Sequence, residues 1–268
     1  MRRNNLILTN IFFFLILLIV SAGCTQSTEI EERNWNLVWQ DEFNSDGPLD
    51  AAKWTYDLGA GGWGNNEFQT YTSNEENVVV DDGYLKLTAL RSGTSFSSAR
   101  IKTQGLFEQA YGRFEARIKT PYGPGIWPAF WLLGANIDTD PWPLCGEIDI
   151  MELRGQQPSL INGTVHGPGY SGGAAITKTY GLEASRFDSE FHLFAVEWGT
   201  DYLHFFVDDV LYFEIKPDDL TGEWVYDHPF FIILNIAVGG DYVGFPTSET
   251  PFPQTMLVDY VRVYKEAQ

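Results

Sequence analysis

Cysteine is almost missing from this chain. Its 268 residues hold two, Cys24 and Cys145, which excludes a disulfide framework and a thiolate metal cluster. Histidine is also scarce, at four residues, and a single imidazole in a motif makes no zinc site. Basic residues number 17 against 36 acidic ones, for a formal charge of −19. Such a field repels nucleic acid and other polyanions and favours a neutral partner. Apolar runs are short: IFFFLILLIV near the start has ten residues, too few for a confident membrane span. No window carries a helical apolar stripe of three turns, and no linker or internal repeat divides the chain.

What is present is alternation by twos. YLKLTA (84–89), RFEARIK (113–119), HLFAVEW (192–198), HFFVD (204–208) and VDYVRVY (258–264) each read as strands, bounded by turn formers such as Asp82-Gly83 and Asp208-Asp209. FFIILNIAV (230–238) reads as a strand buried on both faces. About a dozen such strands predict one all-β domain over 34–268, a β-sandwich of jelly-roll type. Aromatic residues make up 15%, with nine Trp, and many lie beside Gly, Pro and Asn, where strands end and surfaces form. Cys145 beside Gly146 reads as a small buried apolar residue.

The first residues predict processing rather than fold. MRRNN, the apolar run and SAGC have the charged start, short greasy centre and small-residue end of an export signal over 1–23. Ser21-Ala22-Gly23-Cys24 resembles the lipobox of bacterial prolipoproteins, with Ser21 where Leu is usual. The expectation is a lipidated Cys24, a polar tether over 24–33, and an envelope lipoprotein at the outer membrane or cell surface that meets the membrane only through its lipid. Ordinary secretion is the alternative. Loss of Arg2 and Arg3 with the signal takes the charge to −21.

CGEIDIMELRG (145–155) crowds three carboxylates into six residues. On a flat strand Glu147 and Asp149 share a face and Glu152 points the other way. A β-bulge at Ile150-Met151 restores Glu152 to the side of its fellow acids, leaving the isoleucines to the core. Three carboxylates on one face repel one another, which is useful where one must stay protonated while another stays ionised. Glycoside cleavage needs that pair: an acid for the departing oxygen and a carboxylate for the oxocarbenium-like centre. Two Glu side chains leaning together to about 5–5.5 Å would suit a retaining mechanism. A calcium-binding or solvated acidic edge is the alternative reading.

Glu147-Ile-Asp149-Ile-Met-Glu152 resembles the catalytic signature of glycoside hydrolase family 16, in the bulged form of its laminarinases; the family's lichenases usually lack the extra residue. WQDEF (39–43), WGNNEFQTYT (63–72), SARIKTQG (98–105), GIWPAFWLLG (125–134), VHGPGYSGG (165–173) and PFPQTMLVDYVRVY (251–264) extend the likeness over almost all of the mature chain. The resemblance implies a concanavalin A-like sandwich with a concave cleft. It makes Glu147 the nucleophile, Asp149 its helper and Glu152 the general acid/base. Trp127 and Trp131 fall where the family stacks sugar rings, four apart and so on one strand face, with core packing as the alternative. Asn66 and Arg100 match positions that contact glucose hydroxyls, although turn and surface-charge readings stand beside them. His166 corresponds to the cleft histidine, and Trp142 and Gln254 join the same groove.

Glu42, Gly83 and Asp259 correspond to the ligands of a structural calcium on the convex side, while catalysis needs no cofactor. The implied protein is a monomeric endo-β-1,3-glucanase that cuts laminarin-like or mixed-linkage glucans with retention. Agarase-type or transglycosylating activity and a non-catalytic glucan-binding lipoprotein remain as rivals. The intact acid triplet speaks against the binder.

Overall fold

The computed structural model describes residues 33–267; the expected signal and Cys24 lie outside them. Seventeen strands follow one another: β1 (Trp35–Asp41), β2 (Thr55–Tyr56), β3 (Gln69–Tyr71), β4 (Val78–Asp81), β5 (Tyr84–Ser92), β6 (Ser95–Ser98), β7 (Arg100–Lys102), β8 (Gly112–Lys119), β9 (Ile126–Gly134), β10 (Glu147–Leu153), β11 (Leu160–His166), β12 (Ile176–Gly181), β13 (His192–Trp198), β14 (Leu203–Val207), β15 (Val210–Ile215), β16 (Phe230–Val238) and β17 (Gln254–Glu266). They form two sheets. The ten-stranded one runs β15-β14-β13-β8-β17-β5-β6-β3, with β1 on β17 and β4 on β5. The seven-stranded one runs β12-β11-β10-β9-β16-β7-β2.

A shared core joins them. Leu85, Leu87, Phe114, Ile118, Phe194, Val196 and Val261 from the first sheet meet Ile101, Phe130, Leu132, Ile148, Ile150, Ile232 and Leu234 from the second. Alternation places these residues, since every second side chain of a strand points inward. The expected two-residue hairpin after β14 is there: Asp208 and Asp209 take φ of 49° and 61°, the left-handed pair that matches strand twist. Asp82-Gly83 turns β4 into β5 likewise, at 56° and 76°. Every residue of β16 is buried. Its second face is covered at one end by Leu133 and Cys145, which pack on Phe231 and Ile233, and is open to the groove at Asn235 and Ala237. At the far edge β1 pairs antiparallel with β17, and the Ala267 N–H donates to the Asn34 carbonyl at 2.8 Å.

Candidate active site

The outer face of the seven-stranded sheet carries a groove of about 1090 Å³. Its floor follows from pairing register. On β9, Trp127, Ala129, Trp131 and Leu133 face the groove while Ile126, Phe130 and Leu132 enter the core. On β10, Glu147 lies opposite Leu133 and His166, and Asp149 opposite Trp131 and Thr164. The ladder then slips: Glu152 pairs with Ala129 and Asn162. Ile150 and Met151 are both taken into the core, so one residue of β10 is spent without advancing along its neighbours. That bulge turns Glu152 to the groove with Glu147 and Asp149, as the odd spacing of the acids requires.

Each acid has its own setting. The Glu152 carboxylate accepts from Trp127 Nε1 at 3.0 Å and from the Thr164 hydroxyl at 3.4 Å. His166 Nε2 lies 3.2 Å from Asp149 Oδ2 and 3.5 Å from Glu147 Oε1. The other ring nitrogen, Nδ1, accepts from the Gly172 N–H at 3.1 Å. An accepting Nδ1 has no hydrogen, so the ring proton sits on Nε2 and faces the two carboxylates.

Burial pushes all three acids up. Glu147 is raised to about 8, first by desolvation and then by the Asp149 charge, against opposing pulls from His166 and Arg100. Asp149 is driven well above the carboxylate range by burial and by Glu152. Glu152 rises through burial, moderated by His166, Trp127 and Thr164. The cluster therefore retains protons near neutrality. Buried together on one face, the three carboxyls cannot all ionise at once, so protons are shared among Glu147, Asp149 and Glu152. One group able to attack and one able to donate are thus held on a single strand.

Glu147, Asp149 and His166 offer ligand atoms within 4.8 Å of one another, a spacing a transition metal could use. The tautomer opposes it. A metal on Nε2 would move the ring proton to Nδ1, against the Gly172 N–H that now donates there.

Most of the remaining expected residues line the groove: Arg100, Trp127, Trp131, Trp142 and His166. Arg100 lies between two indoles, its guanidinium 5.0 Å from Trp63 and 4.8 Å from Trp131, with Nε on Asp57 at 2.9 Å. Trp142 is 44% exposed and stands 5.8 Å from the His166 ring. Two expectations are corrected. Asn66 sits in a left-handed turn, φ 56°, which sends its amide to Asp241 at 3.0 Å; its neighbour Asn65 lines the groove instead. Gln254 opens β17 in the other sheet, opposite Ala89, buried and accepting from the Tyr122 N–H at 2.8 Å.

The side chains expected to hold calcium have other partners. Glu42 gives both oxygens to Arg262, at 2.7 and 2.9 Å, and Asp259 accepts from Arg117 at 2.5 Å. Gly83 serves the β4–β5 hairpin. Carboxylates already matched by guanidinium groups lack the free charge a hard dication requires, so these residues do not fit calcium as arranged.

The sequence reading passed over Arg154, Asn162, Thr164 and Tyr242, all of which line the groove. Arg154 follows Glu152 by two, and Asn162, Thr164 and His166 alternate, so parity alone would have found them. Tyr242 lies in a loop; its ring packs 4.8 Å from Trp127 and 4.2 Å from the Arg154 guanidinium, and nothing periodic announces it.

Comparison with known proteins agrees with this geometry. The family model described as "Glycosyl hydrolases family 16" matches residues 65–262. A protein of Rhodothermus marinus named beta-glucanase is 39% identical over 265 residues, covering 93% of each chain. Glucan endo-1,3-beta-glucosidase A1 of Niallia circulans is 36% identical over 86% of this chain, which spans 38% of that protein. Among solved structures, the catalytic domain of an endo-1,3-beta-glucanase (laminarinase) from Thermotoga petrophila RKU-1 superposes with a TM-score of 0.84 at 44% identity, over 88% of this chain and 100% of that one.

Proposed function

From the premise that this chain belongs to glycosyl hydrolase family 16, we propose that it hydrolyses internal β-1,3-glucosidic bonds of laminarin-like or mixed β-1,3/1,4-glucans with retention. It is a glycoside hydrolase, and its relatives named beta-glucanase and glucan endo-1,3-beta-glucosidase support this substrate class. The carrying observation is the bulge in β10, which puts Glu152 on the face of Glu147 and Asp149. Glu147 attacks the anomeric carbon. Glu152 protonates the leaving oxygen, then, as a base, draws a proton from the water that releases the sugar. Asp149 and the His166 Nε2–H hold the charge on Glu147 as it is consumed and regenerated. Trp127 and Trp131 supply apolar ring faces and Arg100 a polar edge, a combination suited to a neutral sugar chain. Calcium has no part in this reading.

Reducing-sugar release from laminarin, lichenan and agarose tests it. The expected result is turnover of the first two, with agarose untouched. Glu147→Gln should abolish hydrolysis, by at least about 10⁴-fold, and still bind glucan; an active E147Q would refute the assignment. The export reading rests on residues 1–24 alone. Under it, Cys24→Ser should release the enzyme from the membrane fraction.

A further inference from the structure

The segment WGNNEFQTYT lines the groove with Asn65 and Glu67 and carries a hydrogen-bond network behind them. Asn65, Glu67, Gln69 and Tyr71 alternate along it, and their side chains converge on one carboxylate. Glu67 Oε1 accepts from Asn65 Nδ2 at 3.2 Å, and Oε2 accepts from Gln69 Nε2 at 2.5 Å and from the Tyr71 hydroxyl at 3.4 Å. From Tyr71 the chain continues to the groove: Asn235 Nδ2 donates to the Tyr71 oxygen at 3.1 Å, and Asn235 Oδ1 accepts from Trp131 Nε1 at 2.8 Å. Gln69, Tyr71 and Asn235 are all buried.

The direction of every bond is forced. An indole N–H only donates, so Asn235 must present its oxygen to Trp131 and its amide hydrogens to Tyr71. Tyr71, having accepted, spends its one hydrogen on Glu67. Gln69 Oε1 accepts from the Val238 N–H at 2.7 Å, which turns its amide hydrogens toward Glu67. All donors therefore run one way, and only a group that accepts without donating can end the chain.

We propose that Glu67 is a positioning residue for substrate: through Tyr71 and Asn235 it fixes the plane of Trp131, and directly it fixes the groove-facing amide of Asn65. Arg100 covers one face of Trp131 and the relay clamps the ring edge, leaving the opposite face to a sugar. This deepens the glucanase reading and rests on it for the ligand.

The test uses Glu67→Gln, Tyr71→Phe and the double variant. Each single change should shift the Trp131 indole N–H resonance, identified by its loss in Trp131→Phe. Each should also raise KM for a soluble β-1,3-glucan about fivefold to tenfold, with kcat changed less than about threefold and the pH limbs in place. Because the two act through one chain, the double variant should be little worse than the worse single. If E67Q destabilises the fold, Y71F, which loses one oxygen, carries the same test. An unmoved indole resonance in both, KM effects that multiply, or a loss confined to kcat would overturn the relay. Absence of glucan turnover by the unaltered enzyme would strike the functional reading, whereas the indole signal judges the relay by itself.

Discussion

Three acids pushed upward by burial set the pH behaviour of this protein residue by residue. Glu147 is held near 8, whereas in an unfolded chain a glutamate titrates near 4.3. Between those values the folded state binds the extra proton, so this group lowers stability progressively as pH rises from about 4 to 8 and no further above it. Glu147→Gln removes that penalty. The variant should melt close to wild type at pH 4 and gain on the order of 1–3 kcal/mol by pH 8, which thermal melts across that range would read. The rate should climb through neutrality as Glu147 ionises. Single residues were the least legible scale in the sequence. The acids announced themselves by repulsion that a structural strand avoids. Asn66 and Asn65 differ only in backbone handedness, and Gln254 enters the other sheet; neither fact leaves a mark on residue type.

Strands were legible because alternation is the physics that builds them. HLFAVEW matches β13 residue for residue, and the bulge in β10 was visible as an odd spacing between acids. Short pieces such as β2, β3 and β7, with two or three residues each, have no room to show a period. The bulge makes a paired prediction. Deleting Met151 straightens β10 but keeps the third acid opposite Ala129 and Asn162, so hydrolysis should survive at reduced rate, with about 2–4 kcal/mol lost from the core. Inserting an alanine after Asp149 instead, with the single bulge kept, carries Glu152 one position further along its neighbours and so turns it inward. That variant should be inactive and destabilised by about 3–5 kcal/mol from an unpaired buried charge. Equal activity of the two would mean that facing direction is not what the bulge controls.

Over the whole molecule, a formal charge of −19 acts on any partner that carries charge and ignores one that does not. kcat/KM on a neutral glucan should therefore change less than about twofold between 50 and 500 mM salt, while binding of a sulfated polysaccharide, if forced, should strengthen as salt rises. Initial-rate and binding measurements over that range would check both. The sandwich itself was readable at this scale from the count and spacing of strands. The size of the groove was not, because it depends on loops such as that carrying Asp241 and Tyr242, whose approach to Asn66 and Trp127 spans more than a hundred residues of sequence.

The meeting of Asn34 with Ala267 across the β1–β17 edge has a practical sequel. Entry and exit points that are hydrogen-bonded neighbours make the catalytic unit a plug-in cassette: it could be spliced into a surface turn of a host protein, or its ends fused and the backbone reopened at the Asp208-Asp209 hairpin, without disturbing the sheet that carries the acids.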